Sequence, residues 1–396
     1  TPRRTGSRTQ ARSGARGRHP TSRVLADGRG PNRPAGRRTP LFLVLFLSVS
    51  ALVMLGVVMV LSASAAASLS DTSSAWSLFR RQALWTAVGA VAMFTTMRVD
   101  YRRWRVLAVP GLVLSFVLLV AVVLPGVGLT ANGATRWLGV GRGVFQPSEA
   151  AKLAFVVFAA DLLARRPIER SYITFRPVVA VAAATMGLLM IEPHLGAAII
   201  IGVIALSMLF FAGTSLLRLA AVGAASVSFA YSMVISSPWR RARLLGYLDP
   251  WADPLGNGYQ PLQSLHAVSV GGLSGVGLGA SRAKWGFLPY AHTDFIFAVI
   301  GEELGLLGAG LVVVLFITIG AAGFLTALRA PDRFGLLLAA GVTTWILAQA
   351  VLNMGAVLAL LPVLGVTLPF LSFGGSSLVV TMAALGLLLN IARQAR

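Results

Sequence analysis

Three carboxylates interrupt an apolar stretch of the chain, YAHTDFIFAVIGEELGLLGAG, residues 290–310. Carboxylates at membrane depth are costly, and they usually face a bundle interior or a water-filled cavity. Asp294 lies at the edge of the apolar run, just after His292. At that position a substrate could reach the carboxylate from water, while partial desolvation would raise its pKa. Asp294 is therefore the best candidate for a general base or a metal ligand.

Glu302 and Glu303 lie deeper in the same run, where they cannot face lipid without a large cost. Gly301, Gly305 and Gly308 form a stripe of small residues beside them, which predicts that this helix packs closely on a neighbour. We interpret the two glutamates as interior hydrogen-bonding groups.

A charged pair stands at the start of another predicted helix, in QPSEAAKLAF. Glu149 and Lys152 are three residues apart, so both lie on one helix face within pairing distance. A structural ion pair and a functional pair are about equally expected. Lys152 is one of two lysines in the chain, and a cation at the outer edge of a bundle suits a phosphate.

The turn EPHLG, residues 192–196, separates two apolar runs. Pro193 and Gly196 break the helix there, and irregular backbone at membrane depth usually lines a cavity. Glu192 is a candidate to face that cavity. His194 beside it could titrate, but a hydrogen-bonded structural histidine is the stronger expectation.

Two glycine-rich segments lack the context of a phosphate-binding loop. GGLSGVGLG, residues 271–279, has neither a preceding strand nor a following Lys-Ser/Thr, so we interpret it as a site of close backbone packing. GGSS, residues 374–377, heads the last apolar run. Its backbone N–H groups, with Ser376 beside them, could bind an anion or could simply cap the helix.

The elements that position these groups are membrane helices. The chain has 396 residues, of which 56% are hydrophobic and 12% are charged. That charged share is about half the usual value for a soluble domain. About ten apolar runs approach the length of a bilayer span, and these are 41–63, 82–97, 105–124, 147–164, 177–191, 195–212, 217–236, 293–322, 335–361 and 376–392. The sequence therefore predicts an all-α polytopic membrane protein.

The net charge of +21 is unevenly placed. Residues 1–40 hold eleven arginines and a single acid among Gly, Pro, Ser and Thr, which predicts a disordered cytoplasmic tail lying against anionic lipid and no nucleic-acid module. Basic residues also cluster in alternate loops, so both termini are predicted to be cytoplasmic. The extracytoplasmic segments are then 64–81, 125–146, 192–194, 237–290 and 362–375.

The stretch 237–290, between the seventh and eighth predicted spans, is the largest of these outer segments. It carries five bases, which suggest an anionic partner or, equally, a solvated loop. The five are Arg240, Arg241, Arg243, Arg282 and Lys284.

Three motifs, in this order, resemble the SEDS family of cell-wall polymerases, which includes FtsW, RodA and SpoVE. They are NGATRWLGVGRGVFQPSEAAKLAF at 132–155, AHTDFIFAVIGEELGLLG at 291–308 and NMGAVLALLPVLGVTLPFLSFGGSS at 353–377. The resemblance covers residues 41–393 and leaves out the arginine-rich tail. The Asn-Gly-Ala before Arg136 and the double serine of GGSS are more similar to the division branch, FtsW, than to RodA.

The resemblance implies a ten-helix fold with its active site at the outer face, and peptidoglycan glycosyltransferase activity that joins lipid II into β-1,4 glycan strands carried on undecaprenyl pyrophosphate. It implies catalysis by Asp294 and substrate contacts by Lys152, Glu149 and Trp137. It further implies a class B penicillin-binding protein and other division proteins as partners, at the septal part of the bacterial cytoplasmic membrane. The family usually has aspartate where this chain has His194, which weakens the role of a carboxylate at that turn unless Glu192 compensates.

Glycan extension from a lipid pyrophosphate needs a base for the acceptor hydroxyl and positive charge for the leaving pyrophosphate. Asp294 would supply the base. Cationic side chains and a divalent cation such as Mg or Mn, held in part by Asp294, would stabilise the pyrophosphate. The candidate substrate-binding residues are Lys152, Glu149, Trp137, Arg136, His292, Glu192 and Ser376.

Two alternatives come from other functional classes. A lipid II flippase would need a polar path across the bilayer, lined by Glu302, Glu303, Glu192 and Lys152. A division scaffold without chemistry of its own would tolerate the loss of Asp294.

Overall fold

The computed structural model describes residues 39–72, 76–131, 134–140, 143–165 and 172–395, together with the first residue. The fold below is that of the unit from Pro34 to Arg396. Residues 2–38 of the predicted tail, residues 132–133 and 141–142 of the first family-like motif, and residues 166–171 lie outside the described residues.

Every predicted apolar run forms a helix. The helices are α1 (Pro40–Thr72), α2 (Ser77–Arg98), α3 (Ala108–Val123), α4 (Pro147–Arg165), α5 (Tyr172–Ile191), α6 (Leu195–Phe211), α7 (Leu216–Ile235), α8 (Pro238–Leu248), α9 (Tyr259–Gly271), α10 (Ile296–Leu328), α11 (Arg333–Val357) and α12 (Gly375–Gln394). The predicted outer segment 237–290 contains α8 and α9.

Among the described residues, six helical segments are long and apolar enough to cross a membrane, and two shorter apolar helices, α5 and α6, accompany them. The six are Pro40–Ser64, Tyr101–Val123, Leu216–Ile235, Ile296–Leu328, Arg333–Val357 and Gly375–Gln394. The protein is thus a helical, multi-pass membrane protein. The count of ten spans, the cytoplasmic termini and the outer position of 237–290 stay predictions.

A small antiparallel sheet between α3 and α4 is the main departure from the predicted all-α fold. Its strands are β1 (Gly128–Ala131), β2 (Ala134–Val140) and β3 (Gly143–Phe145), in the order β1-β2-β3. Leu129 pairs with Trp137, and Leu138 pairs with Phe145. Strands this short, rich in Gly and Thr, carry too little alternation to be found from sequence. The sheet matters for function because β2 carries Arg136 and Trp137.

Polar contacts tie together the end of the bundle where the predicted inner loops meet. Asp332 accepts hydrogen bonds from the Tyr101 hydroxyl and from Arg102 Nε, both at 2.7 Å. Arg102 Nη1 also donates to Gln394 Oε1 at 3.2 Å. Asp161 pairs with Arg165, four residues further along α4, at 2.6 Å.

Helix α10 is interrupted at Gly305, whose φ of +65° is outside the helical region. The GGLSGVGLG segment enters this break. Val276 N donates to the Glu302 carbonyl at 3.0 Å, and Leu306 N donates to the Gly272 carbonyl at 2.9 Å. Backbone groups freed by the break are therefore satisfied by the glycine segment, which confirms the predicted close backbone packing.

The glycine stripe of α10 combines the predicted close helix packing with a helix break that was not predicted. A side chain at Gly301 would lie 3.1 Å from Val268 of α9, so this glycine does permit close helix packing. Gly305 instead breaks the helix, and its neighbours are backbone atoms of the GGLSGVGLG segment. The prediction of an unbroken helix was wrong here, because glycine is common inside membrane helices and a single one does not reveal a break.

The buried glutamates of α10 accept hydrogen bonds from the loop that precedes the helix. Glu302 Oε2 accepts from Ser281 Oγ at 2.5 Å, and its Oε1 accepts from Arg282 N at 2.9 Å. Glu302 is 2% exposed and Glu303 is fully buried. Their interpretation as interior hydrogen-bonding groups is confirmed.

Lys284 is the partner of Glu303. Its Nζ donates to Glu303 Oε1 at 3.0 Å, and Ser62 Oγ donates to the same carboxylate oxygen at 2.6 Å. The Lys284 side chain is only 3% exposed. The prediction that this lysine faces solvent or an anionic partner was therefore wrong, since a buried carboxylate lies within reach of its long side chain.

We expect Lys284→Met to lower the free energy of unfolding by about 3 kcal/mol, because it leaves Glu303 buried without its cation. The measurement is thermal unfolding of the purified protein in detergent. The double variant Lys284→Met/Glu303→Gln should recover part of the loss, since it removes both charges. A single variant as stable as the parent would contradict the role given to this pair.

Candidate active site

A cavity of about 880 Å³ lies where the predicted outer segments meet. All five of those segments contribute to its wall. The contributors, in chain order, are Arg81, the small sheet, Pro193, helices α8 and α9, and residues 363–375. Five of the predicted site residues line it together: Asp294, Arg136, Trp137, His292 and Ser376. We call it the central cavity.

Asp294 is the single carboxylate among the described residues that line the central cavity. It lies just before α10 begins and is half-buried in the wall. Burial raises the pKa of Asp294 to about 6, against the opposing effect of Arg136 and Arg243. A carboxyl group with this pKa is mostly ionised at neutral pH and is still basic enough to accept a proton, which suits a general base.

Three arginines line the central cavity with Asp294, and two of them, Arg136 and Arg243, stabilise its carboxylate. Arg136, on β2, donates from Nε to the Glu192 carbonyl at 3.3 Å and from Nη2 to the Pro193 carbonyl. Arg243, on α8, donates to the Val363 carbonyl at 3.4 Å. Burial lowers the pKa of both arginines, yet a guanidinium stays charged at neutral pH. Because Arg136 and Arg243 outnumber the single carboxylate of Asp294, this part of the wall carries a net positive charge and suits an anion.

Arg243 was not singled out from the sequence as a site residue. It appeared there as one of five bases in a long segment, with no signal to distinguish it from its neighbours Arg240 and Arg241. Only the folding of α8 against residues 363–365 brings it to the cavity.

Lys152 and Glu149 form the pair that their spacing predicts, but neither lines the central cavity. Lys152 Nζ donates to Glu149 Oε1 and to Gln349 Oε1, both at 2.8 Å, and the residue is 1% exposed. Glu149 Oε2 accepts from the Ser377 hydroxyl at 3.1 Å. The pair thus lies behind the wall and contacts it through Ser377, which does line the cavity.

Two amides of α11 continue this buried network towards Asp294. Gln349 Nε2 donates to the Thr367 carbonyl at 3.1 Å. One turn further along, Asn353 Nδ2 donates to the carbonyls of Asp294 and Val366, at 2.7 Å each. Asn353 therefore fixes the backbone of Asp294 relative to the extended segment across the cavity.

The turn between α5 and α6 contributes Pro193 to the cavity, while its charged neighbours are buried beside it. Burial raises the pKa of Glu192 to about 8, so this carboxyl is protonated at neutral pH. Burial lowers the pKa of His194, which is therefore neutral. Within the described ranges, the two carboxyl oxygens of Glu192 and the Nδ1 of His194 have no hydrogen-bond partner. At Nδ1, therefore, the structure does not show the hydrogen bond predicted for this histidine.

The remaining predicted residues, Ser376, His292 and Trp137, are themselves part of the wall and are held there by different contacts. Ser376 accepts a hydrogen bond from Gln146 N at 3.2 Å at the head of α12. His292 packs edge-on against Phe373, with ring centroids 5.8 Å apart. Trp137 projects from β2 into the lining.

Comparison with known proteins identifies one family along almost the whole chain. The model of the family that comprises FtsW, RodA and SpoVE, described as "Cell cycle protein", matches residues 42–396. The chain belongs to this family.

Individual relatives agree with this assignment. Stage V sporulation protein E of Bacillus subtilis is 40% identical over 364 residues, which cover 91% of this chain and 99% of the relative. A probable peptidoglycan glycosyltransferase FtsW of Geobacter metallireducens is 41% identical over 351 residues, covering 88% and 94%. The predicted family and the predicted enzyme class, peptidoglycan glycosyltransferase, are confirmed.

Solved structures of family members share the fold. RodA of Thermus thermophilus matches with a TM-score of 0.65 at 29% identity, over 89% of this chain and 96% of that one. A chain of a peptidoglycan synthase complex, described as coordinating polymerization and crosslinking, matches with a TM-score of 0.71 at 33% identity, over 89% and 97%.

In this FtsW/RodA/SpoVE family member, few of the described side chains could serve as ligands of a divalent cation. No cluster of three or more His, Cys, Asp or Glu side chains occurs within the ranges that the structure describes. Magnesium is often held by one or two carboxylates together with substrate phosphates. The residues present fit a cation only in that shared form, with Asp294 as the protein ligand.

We expect Asn353→Leu to lower the turnover number of this glycosyltransferase about tenfold with little change in KM, because it frees the backbone of Asp294 without removing a substrate contact. Glycan synthesis from lipid II measures both constants. Asn390→Leu is the matched control, since Asn390 makes similar buried bonds to Met97 O and Tyr101 N at 2.7 and 3.1 Å, far from the cavity. Equal activity losses in the two variants would show that Asn353 supports only the fold.

Proposed function

We propose that this protein polymerises lipid II into β-1,4 glycan strands at the outer face of the bacterial cytoplasmic membrane during septal cell division. The observation that carries the proposal is the wall of the central cavity, where one carboxylate with a pKa of about 6 shares the lining with Arg136 and Arg243, the two arginines that stabilise its charged form. A proton acceptor and a site for a diphosphate are the two requirements of glycosyl transfer from a lipid pyrophosphate.

In the proposed reaction, Asp294 removes the proton from the acceptor sugar hydroxyl as its oxygen attacks the anomeric carbon of the donor. A new carbon–oxygen bond forms, and the bond from that carbon to the pyrophosphate oxygen breaks. The undecaprenyl pyrophosphate leaves with the electron pair of the broken bond. Arg136 and Arg243 stabilise the negative charge that grows on it.

Pyrophosphate needs no proton to leave, so a single carboxylate is sufficient. Glycosidases, by contrast, pair two carboxyl groups because their leaving groups must be protonated. The single acid in the described lining of the central cavity agrees with this requirement. A divalent cation, Mg or Mn, is proposed as an additional ligand of the pyrophosphate, where it would add Lewis-acid stabilisation.

Lys152 and Glu149 are assigned an indirect role. Because both are buried behind the wall, we infer that they position Ser377 and, through Gln349, Thr367, while the arginines contact the phosphates. Trp137, His292 and Ser376 remain proposed substrate contacts. Glu192 is protonated at neutral pH and is therefore not assigned a role as a base.

The burial of the deep charged groups favours polymerisation over lipid II transport. A flippase would need Glu302, Glu303 and Lys152 along an open polar path. Each is less than 3% exposed and is bonded within helix and loop contacts.

We further propose that a class B penicillin-binding protein works beside this chain, together with other division proteins at the septum. Support comes from the family resemblance and from the fold shared with a chain of a peptidoglycan synthase complex. Fluorescent fusions would test the septal location. An even distribution along the cell cylinder would contradict it.

The deciding experiment is a gel assay of lipid II polymerisation by the purified protein, with and without its penicillin-binding partner and with a divalent metal present. We expect ladders of glycan strands. No ladder under any of these conditions would overturn the proposal and would favour transport or scaffolding.

A further inference from the structure

A second, smaller cavity opens beside the central one. Its volume is about 270 Å³, close to the lower end of the range for small-ligand pockets. Its wall is formed by the end of α8, residues 255–257 and the start of α9. Arg243, Gln260 and Val363 line both cavities, so a ligand could continue from one into the other. We call it the side cavity.

The side cavity differs from the central one in its chemistry. Its polar groups are the phenols of Tyr247 and Tyr259 and the amides of Asn257 and Gln260, with Arg243 at the border. None of its described lining residues is a carboxylate. Hydroxyl and amide groups beside aromatic rings suit a neutral ligand rich in hydroxyls.

Two of these polar groups are available to a ligand. Among the described residues, the hydroxyl of Tyr259 and the side-chain amide of Gln260 have no hydrogen-bond partner, and both residues are half-buried. Tyr247 is different, because its hydroxyl donates to the Leu360 carbonyl at 2.8 Å. Ligand contacts are therefore expected mainly at Tyr259 and Gln260.

The wall of the side cavity is preformed by local bonds. Asp253 accepts hydrogen bonds from Gly256 N at 3.1 Å and from Asn257 N at 2.8 Å, which closes the turn before α9. The Tyr247–Leu360 bond fastens α8 to the chain that follows α11. A site held this way loses little entropy on binding.

We propose that the side cavity binds sugar units of the glycan strand that adjoin the unit reacting at Asp294. This inference rests on the proposed function. A polymerase must hold a hydrophilic strand next to a cavity that also holds a lipid pyrophosphate, and Arg243 lines both cavities at their border. The stem peptides of the strand are a poorer fit, because they carry amino groups and the described lining offers no acid to pair with them.

The test is direct binding of a tetrasaccharide of alternating N-acetylglucosamine and N-acetylmuramic acid that lacks lipid, pyrophosphate and peptide, with its lactyl carboxyl groups capped as methylamides so that it is neutral. Isothermal titration of the purified protein should detect binding. Gln260→Ala and Tyr259→Phe should each weaken it about five- to tenfold, the effect of one lost hydrogen bond. Gln263→Ala is the matched control, since Gln263 lies on the same helix and lines neither cavity.

The same variants should make shorter glycan strands from lipid II than the control does. If Gln260→Ala proves unstable, Tyr259→Phe carries the test, because it removes a single oxygen. Absence of tetrasaccharide binding to the parent protein, or binding that neither variant weakens, would overturn the proposal.

The Asp294→Asn variant separates this inference from the proposed function. It should bind the tetrasaccharide like the parent protein, because binding does not need the base. Tetrasaccharide binding without any glycan ladder from the parent protein would overturn the polymerase proposal and leave the saccharide site standing. Glycan ladders from the parent protein without tetrasaccharide binding would overturn the saccharide site and leave the polymerase proposal standing.

Discussion

Replacing Asp294 by Asn is expected to lower the rate of lipid II polymerisation by about two to four orders of magnitude, the usual contribution of a general base. The substitution keeps the size of the side chain and its place before α10 while removing its ability to accept a proton. The measurement is the initial rate of glycan synthesis by purified protein, read from gels at fixed enzyme and lipid II concentrations.

Among the described residues that line the central cavity, no other carboxylate can replace it. Glu192 is protonated at neutral pH, because burial raises its pKa to about 8. Glu149 is engaged by Lys152 and by Ser377 behind the cavity wall. The loss should therefore be large at neutral pH.

Asp249→Asn is the matched control for this experiment. Asp249 is an exposed acid at the end of α8 and does not line the central cavity. This variant should polymerise at the parent rate. If Asp294→Asn also kept the parent rate, the base would lie elsewhere, and if division stayed normal without any activity, the scaffold alternative would gain support.

Much of the fold follows from features that are local in sequence. Each predicted apolar run became a helix because about 20 apolar residues have few other stable states in a membrane. The Glu149–Lys152 pair was predictable because residues three apart share a helix face. Asp294 was found by sorting the acids by depth, since a carboxylate has few reasons to stand at the edge of a membrane helix.

The parts that sequence could not provide depend on contacts between distant segments. Lys284 pairs with Glu303 only because α10 breaks at Gly305 and lets the preceding loop enter. Likewise, the direction in which Lys152 points depends on where α11 places Gln349. Periodicity describes one helix at a time and carries no information on which neighbour it meets.

The side-chain amides of Gln349 and Asn353 also show what sequence can and cannot predict. Gln349 and Asn353 are four residues apart in an apolar helix, a spacing that places both on one face. That spacing was a usable signal for a polar face on α11. It could not have identified the Asp294 carbonyl as an acceptor, because this contact joins residues 59 positions apart.

Removing the charge of Arg136 should have the second large effect on catalysis. Arg136→Gln is expected to lower the rate about 100- to 1,000-fold, since it removes one of two cations proposed to stabilise the leaving pyrophosphate. It also removes a guanidinium that is bonded to the carbonyls of Glu192 and Pro193. Arg136→Lys should recover only part of the loss, because an ammonium group cannot reproduce the planar fork.

A matched control separates this effect from a general loss of positive charge. Arg241 is an exposed arginine on α8 that does not line the central cavity, whereas Arg243 on the same helix does. Arg241→Gln should keep the parent rate, and Arg243→Gln should lose activity as Arg136→Gln does. Equal rates for the Arg136 and Arg241 variants would remove Arg136 from the proposed phosphate site.

The pH dependence tests the electrostatic part of the same argument. The base acts in its ionised form, so kcat/KM of the parent protein should be constant at neutral pH and fall as the pH drops below the Asp294 pKa of about 6. Arg136 lowers that pKa by stabilising the carboxylate. Arg136→Gln should therefore move the acidic limb to higher pH, while Arg241→Gln leaves it in place. A limb that does not move in Arg136→Gln would show that the titrating group is not the carboxylate beside this arginine.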